Sequence, residues 1–382
     1  MENHHPILNA LDEIPSPSFV LDESKLLKNA LLCDQIRQES GAVILLALKA
    51  FSMYSVFDQL LPYLDGTTAS SLHEAKLGHE QFSTQHHHIF SPAFKASEWD
   101  EISRYCTHVS FNSATQWKTF KSRITPFMSP GLRINPEHSE VKTALYDPCH
   151  PNCRLGITHK ELENIDLDGI DGFHFHTLCE SQFPELERTV TIIEEKFGEY
   201  LHNLKWLNLG GGHHLTDPNY DRAGLITLIK RLKDTYNLEV ILEPGEAIAL
   251  NAGYFITEVL DILDRHPKHA ILDCSASTHL PDILEMPYRA HILGSYNENK
   301  TPHNYRLGGL TCLAGDHIGT YAFDKPLKIG QKLIFTDMAH YTMVKTNTFN
   351  GIKLPSICRL DVNGNITQLK NFDYADFFSR LS

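Results

Sequence analysis

Between about residue 40 and residue 245 the chain alternates short aliphatic and β-branched runs with longer stretches whose apolar positions recur at helical spacing. The short runs, at 42–48, 64–69, 88–91, 108–111, 131–135, 172–177, 206–209 and 240–243, read as strands. Stretches such as 71–82, 183–197 and 223–236 between them carry the three-to-four-residue apolar period of amphipathic helices. Parallel neighbours need a crossover, and a crossover of this length is usually a helix. Strand–helix alternation repeated in this way therefore predicts an α/β fold, a (β/α)8 TIM-type barrel. Beyond Gly253 the helical period stops, and closely spaced strand-like runs follow at 254–263, 270–273, 332–336, 357–361 and 365–369. The pattern thus predicts two domains: a barrel over residues 1–252 and a mostly β domain over 253–382. The first stretch, about 1–27, is expected to pack with the β domain.

Length and composition agree with this division. A chain of 382 residues with 42% hydrophobic and 21% charged residues has the make-up of an ordinary globular protein of about two domains. Lys+Arg 34 against Asp+Glu 47 leaves a net charge of −13, which repels phosphate backbones and anionic membranes. Neither nucleic acid nor membrane is an expected partner. The longest apolar run near the start, 42–48, is far below the roughly 20 residues of a membrane span. The first twenty residues hold Glu2, Asp12, Glu13 and prolines where an export signal needs basic and apolar stretches, so a cytoplasmic location is expected. The 8 cysteines are scattered, and the Cys149–Cys153 spacing is unlike that of a zinc knuckle, so reduced thiols and no metal are expected. His86-His87-His88 reads as a solvated turn before a strand.

Four polar features fall at the C-terminal ends of predicted barrel strands, where this fold builds its active sites. Lys49 closes a seven-residue apolar run; such an amine is partly desolvated and can attack an aldehyde. In Phe173-His174-Phe175-His176 the period of two sends both histidines to one face. That pair fits metal ligation, a hydrogen-bonded core or an imidazole stacked on a flat cofactor, and spacing alone leaves the three open. Gly210-Gly211-Gly212 lets backbone N–H groups approach a phosphate, and Glu243-Pro244-Gly245 places a carboxylate on a stiff turn. Each has an ordinary reading alone: a solvated lysine, a tight turn, a capping glutamate. Together they are the parts needed to hold pyridoxal 5′-phosphate.

These residues, with Pro17-Ser18-Phe19-Val20, Leu46-Ala47-Leu48-Lys49, Cys312-Leu313-Ala314-Gly315-Asp316, Tyr341-Thr342 and Phe349-Asn350-Gly351, resemble the fold-type III pyridoxal-phosphate decarboxylases over nearly the whole chain. That family includes ornithine and diaminopimelate decarboxylases and has an alanine racemase-like barrel. The resemblance implies that Lys49 holds the cofactor covalently, His176 stacks on its ring, Gly211, Gly212 and Tyr341 hold its phosphate, and Glu243 pairs with the ring nitrogen. It further implies a homodimer with shared active sites, in which Cys312 from the second subunit is the catalytic acid and Arg154 with Asp316 forms a subunit contact. LALKAF, DGTTASSLHEA, HFHTLCE, LGGGHH, LEPGEA and TCLAGD resemble the branch that decarboxylates carboxynorspermidine and carboxyspermidine in polyamine biosynthesis. Four positions depart from the wider family: Leu178-Cys179 replaces a Gly-Ser pair, Glu246 replaces an arginine, and Leu313 replaces an acid. Glu246, Asp282 and the adjacent His279 are accordingly expected to receive a cationic polyamine tail. Another diamino acid, such as diaminopimelate or ornithine, is the alternative substrate; a metal-dependent TIM-barrel amidohydrolase using the two histidines is the more distant one.

Overall fold

The computed structural model describes residues 6–382. The chain divides into two compact units, one of Leu27–Ile248 and one that joins the described residues up to Leu26 with Ala249–Ser382. The first unit is a closed parallel barrel of eight strands in sequence order. Naming the chain's first strand, Ser18–Asp22, β1, the barrel strands are β2 (Val43–Ala47), β3 (Gly66–Ala69), β4 (His86–Phe90), β5 (His108–Phe111), β6 (Ser129–Arg133), β7 (Gly172–His174), β8 (Trp206–Asn208) and β9 (Glu239–Leu242). Closure comes from β9 beside β2, with Val43 opposite Ile241 and Ile44 opposite Leu242. All eight runs read as strands from the sequence are present, with ends displaced by at most three residues.

One reading of the sequence is corrected. His86-His87-His88 is no solvated turn but the first half of β4, and His87 and His88 are 4% and 1% exposed. Alternation along the strand lets both be satisfied in the interior. His87 Nδ1 meets Thr67 Oγ1 at 2.9 Å on one face, and His88 Nε2 meets Ser110 Oγ at 2.8 Å on the other. Buried polar groups are tolerated where each finds a partner.

The outer layer follows the same logic. Helix Phe183–Leu201 turns Leu186, Val190, Ile193 and Phe197 inward, and Phe197 meets Phe173 of β7 edge-on at 6.3 Å. Each such side chain contributes about 1.5–3 kcal/mol on burial. Inside the barrel the bulky residue is Trp206, which takes the space left by Gly131 and Gly172 on neighbouring strands.

The second unit is a nine-stranded sheet. Its strands are β1, β10 (Gly253–Leu263), β11 (Lys268–Leu272), β12 (Ser295–Tyr296), β13 (His303–Gly308), β14 (His317–Phe323), β15 (Lys332–Thr336), β16 (Ser356–Leu360) and β17 (Ile366–Lys370). β1 lies antiparallel to β10 and parallel to β16. The sequence pattern missed the two-residue β12 and also β13 and β14, whose histidines, glycines and Arg306 interrupt the alternation. Leu307, Ile318, Tyr321 and Phe323 nevertheless enter a core with Phe255 and Phe335.

A Cβ added at Gly172 would lie 2.0 Å from the Trp206 ring, which cannot be met by rotating a flexible chain end. Gly172→Ala is expected to destabilise the barrel by ~1–3 kcal/mol, read as a lower denaturant midpoint with an unchanged slope.

Candidate active site

Lys49, His176, Gly210–Gly212 and Glu243 follow β2, β7, β8 and β9, so parallel packing alone brings four distant segments to one end of the barrel. Lys49, His176 and Glu243 line an open cavity whose walls also include Phe90, Arg133 and His174. Lys49 Nζ stands 3.5 Å from His176 Nε2. The Gly211 N–H donates to His176 Nδ1 at 3.0 Å, so that nitrogen carries no proton and the imidazole is neutral with its hydrogen on Nε2. Enclosure by the barrel mouth, then the neighbouring Lys49 and Arg133 cations, hold the His176 pKa well below its ordinary value. The same enclosure and Arg133 lower the pKa of Lys49, although its side chain reaches solvent through the cavity. An amine that gives up its proton more easily is a better nucleophile at neutral pH.

Glu243 is 7% exposed, and its carboxylate is held from three sides. Oε1 accepts from His88 Nδ1 and from Asn208 Nδ2, the latter at 2.7 Å, while Oε2 faces His174 Nε2 at 3.6 Å. Burial alone would raise its pKa. The two imidazoles and the Asn208 amide outweigh burial and hold it well below the usual carboxylate range. Burial holds the His174 pKa well below its ordinary value against the pull of Glu243, and among the described residues no group of three ligand side chains forms around His174 or His176. Arg133 was not singled out from the sequence, yet its guanidinium lies 4.4 Å over Phe90 and donates to the His176 carbonyl at 3.0 Å. His88 and Asn208 were missed for the same reason. Their signal was the inward register shared by His88, Arg133, Asn208 and Glu243 along β4, β6, β8 and the end of β9.

The glycine turn needs its glycines. Gly210 and Gly212 have φ of 68° and 85°, and a Cβ on Gly212 would lie 2.0 Å from the Leu178 carbonyl. Gly210 N–H is taken by Asn208 Oδ1 and Gly211 N–H by His176 Nδ1. A flat, phosphorylated aldehyde suits these residues: the cavity offers an amine, a neutral ring, an ionised carboxylate and His174, whose two ring nitrogens are buried without hydrogen-bond partners.

The other residues expected at the site have these surroundings. Glu246 opens the helix Glu246–Ala249, 3.3 Å from His214 Nε2. Arg154 is exposed, with its carbonyl accepting from Asn112 Nδ2. In the β unit, Cys312 is exposed on the loop between β13 and β14, its N–H held by Asn350 Oδ1 at 2.8 Å. Asp316, expected to meet Arg154 between subunits, is 4% exposed and committed within its own chain. One oxygen accepts from Ala276 N–H at 2.7 Å and the other from the Thr311 N–H and hydroxyl at 3.0 and 2.6 Å, which ties down the loop that presents Cys312. Asp282 is ion-paired with Lys345. His279 is a core residue whose Nε2 donates to the Lys353 carbonyl; burial pushes its pKa down to about 4. Tyr341 adopts the left-handed backbone region at φ 46°, which is uncommon for a bulky non-glycine residue.

A lysine, a histidine and a glutamate on the C-terminal mouth of a (β/α)8 barrel, in a chain with a separate β-sheet unit, define a pyridoxal phosphate enzyme. A family model described as pyridoxal-dependent decarboxylase, C-terminal sheet domain, matches residues 19–339, and the chain belongs to that family of decarboxylases. It is similar to a carboxynorspermidine/carboxyspermidine decarboxylase from Campylobacter jejuni, 42% identical over 380 residues, covering 97% of this chain and 99% of the relative. It is equally similar to a carboxyaminopropylagmatine decarboxylase from Synechocystis, 42% identical over 374 residues, covering 97% and 96%. A crystal structure of carboxynorspermidine decarboxylase from Campylobacter jejuni complexed with norspermidine superposes with a TM-score of 0.89 at 41% identity, covering 96% of this chain and 100% of that one.

His88→Ala leaves Glu243 buried with one fewer hydrogen-bond donor, a change that typically costs about 1–3 kcal/mol. The Glu243 pKa is then expected to rise. Its depressed pKa keeps the carboxylate ionised above the folded value and loses it only as pH falls through that value, so in the variant the loss comes at higher pH. Titration of pyridoxal phosphate followed by its absorbance should show weaker binding, with the acid limb displaced upward.

Proposed function

We propose that this chain removes the α-carboxylate of carboxynorspermidine or carboxyspermidine, giving norspermidine or spermidine and CO₂ in polyamine biosynthesis. The observation that carries this reading is near-full-length similarity to an enzyme named for that reaction, joined to a close structural match with one complexed with norspermidine. Carboxyaminopropylagmatine, whose agmatine part ends in a guanidinium, is a second reading supported by the equal similarity of the Synechocystis relative.

Bound pyridoxal phosphate supplies an electron sink for the pair released as CO₂ departs. Lys49 holds the cofactor covalently, its lowered pKa keeping more of the amine unprotonated. His176, neutral and fixed by the Gly211 N–H, offers a flat face to the ring. Glu243, kept ionised by His88 and Asn208, holds a proton on the ring nitrogen. Since Gly210 and Gly211 N–H groups are already engaged, Gly212 with Tyr341 receives most of the phosphate contact. The Cys312 thiol returns a proton to the substrate α-carbon and regains one from solvent.

The polyamine tail carries cationic amines, and Glu246 and Asp282 receive them by charge-assisted hydrogen bonds, His279 fixing the segment that bears Asp282. We place the enzyme in the cytoplasm as a homodimer with shared sites. Cys312 lies beside the exposed Leu310, Leu313 and Phe349, an apolar surface suited to cover by a second subunit, and none of the eight cysteines is disulfide-bonded. Arg154 sits at that contact, and Asp316 serves it by holding the Cys312 loop.

The test is CO₂ release from the pyridoxal phosphate-loaded enzyme with carboxynorspermidine, carboxyspermidine, carboxyaminopropylagmatine, diaminopimelate and ornithine side by side. Turnover of the first two supports the proposal, preference for the third favours the second reading, and turnover of the last two alone overturns both. Glu246→Gln or Asp282→Asn should lower kcat/KM for the preferred polyamine at least about tenfold, given the 2–5 kcal/mol typical of a desolvated charge pair. The cofactor spectrum should stay unchanged. Cys312→Ala should slow turnover by about 10²–10⁴-fold while cofactor binding persists, the range of a lost general acid.

A further inference from the structure

We propose that the floor of the barrel, at the end opposite Lys49, binds a first-row divalent transition ion such as Zn²⁺ through His86, His108 and Glu239. These residues begin β4, β5 and β9. With a side-chain period of two, His86 shares a face with His88, His108 with Ser110, and Glu239 with Glu243. His88, Ser110 and Glu243 are linked to one another inside the barrel, so the three strand-opening residues point to the same interior, one layer or two lower. One ligand atom from each lies within 4.8 Å of the others.

Two further observations suit ligation. Thr107 Oγ1 contacts the His87 carbonyl at 3.4 Å as donor and lies 3.0 Å from His108 Nδ1. With Thr107 Oγ1 as acceptor from Nδ1–H, the lone pair of His108 stands on Nε2, the tautomer that ligation requires. Metal-bound histidines are oriented by a hydrogen bond of this kind on the other ring nitrogen. The His86 ring stacks on the His108 ring at 5.6 Å and 17°, and its Nδ1 is buried without a hydrogen-bond partner.

Two imidazoles and one carboxylate form a donor set that suits Zn²⁺, with a fourth position open to water. Such an ion would join β9 to strands that lie across the barrel from it, closing the floor where no backbone ladder can. Glu239 is four residues below Glu243 on the same strand, roughly 13 Å away at about 3.3 Å per residue. The site is therefore separate from the cofactor's, and its occupancy is not required for the chemistry proposed above.

Metal-stripped protein loaded with pyridoxal phosphate, titrated with Co²⁺, should develop visible d–d absorption that saturates at one equivalent per chain and is displaced by Zn²⁺. Zn²⁺ should also raise the thermal midpoint. His86→Ala and His108→Ala should each weaken Co²⁺ binding at least tenfold, and Glu239→Gln, the variant least able to disturb folding, should abolish the Zn²⁺-dependent midpoint shift. The absence of saturable absorption in the wild type, or binding undiminished in a folded His86→Ala or Glu239→Gln protein, overturns the proposal. The cofactor absorbance reports the decarboxylase site independently, so failure of one reading is distinguishable from failure of the other.

Discussion

An ionised carboxylate inside a closed sheet is the constraint around which the barrel is arranged. Glu243 sits where water cannot reach it freely, and a bare carboxylate there would take up a proton. His88, Asn208 and His174 prevent this, and each comes from a different strand. Their positions depend on the registers of β4, β7 and β8, which depend in turn on closure between β2 and β9. The barrel interior is consequently polar at levels where other barrels carry branched aliphatic side chains. The fold trades some apolar packing for a charge held in a fixed protonation state.

The eight barrel strands were readable because each alternation of strand and helix repeats the same physical requirement. The polar residues at their C-terminal ends were readable because Lys49 and Glu243 close apolar runs and His176 ends a strict alternation of Phe and His. Three consecutive histidines were not, since local polarity argues for water and only the partners Thr67 and Ser110, distant in sequence, make burial possible. Arg133 was hidden in the same way: nothing beside it in sequence announces Phe90 or the His176 carbonyl. In the β unit, β13 and β14 escaped because their polar positions do not alternate cleanly, while their pairing with β11 gives them a buried face.

Glu246 and Asp282 are not bare anions. Glu246 faces His214 and Asp282 is paired with Lys345. A cation brought to either carboxylate would displace an existing partner rather than fill an empty field, so its binding would depend on how well it reproduces the geometry of the side chain it replaces. The Cys312 loop shows a related economy of placement. Asp316 holds that loop through backbone and hydroxyl donors of Thr311, fixing a surface thiol without any apolar packing of its own.

The pairing of β1 with β10 and β16 has a consequence for how the chain is made. The strand Ser18–Asp22 emerges early from the ribosome, yet its antiparallel neighbour begins at Gly253 and its parallel one at Ser356. At roughly 5–20 residues per second, β1 waits on the order of 10–50 s for its first partner. During that interval an entire barrel can be completed while a fully apolar Phe-Val-Leu segment remains an unpaired edge. Translation speed through the barrel and protection of the nascent amino-terminal strand by a chaperone thus become determinants of yield, quite apart from the stability of the finished protein.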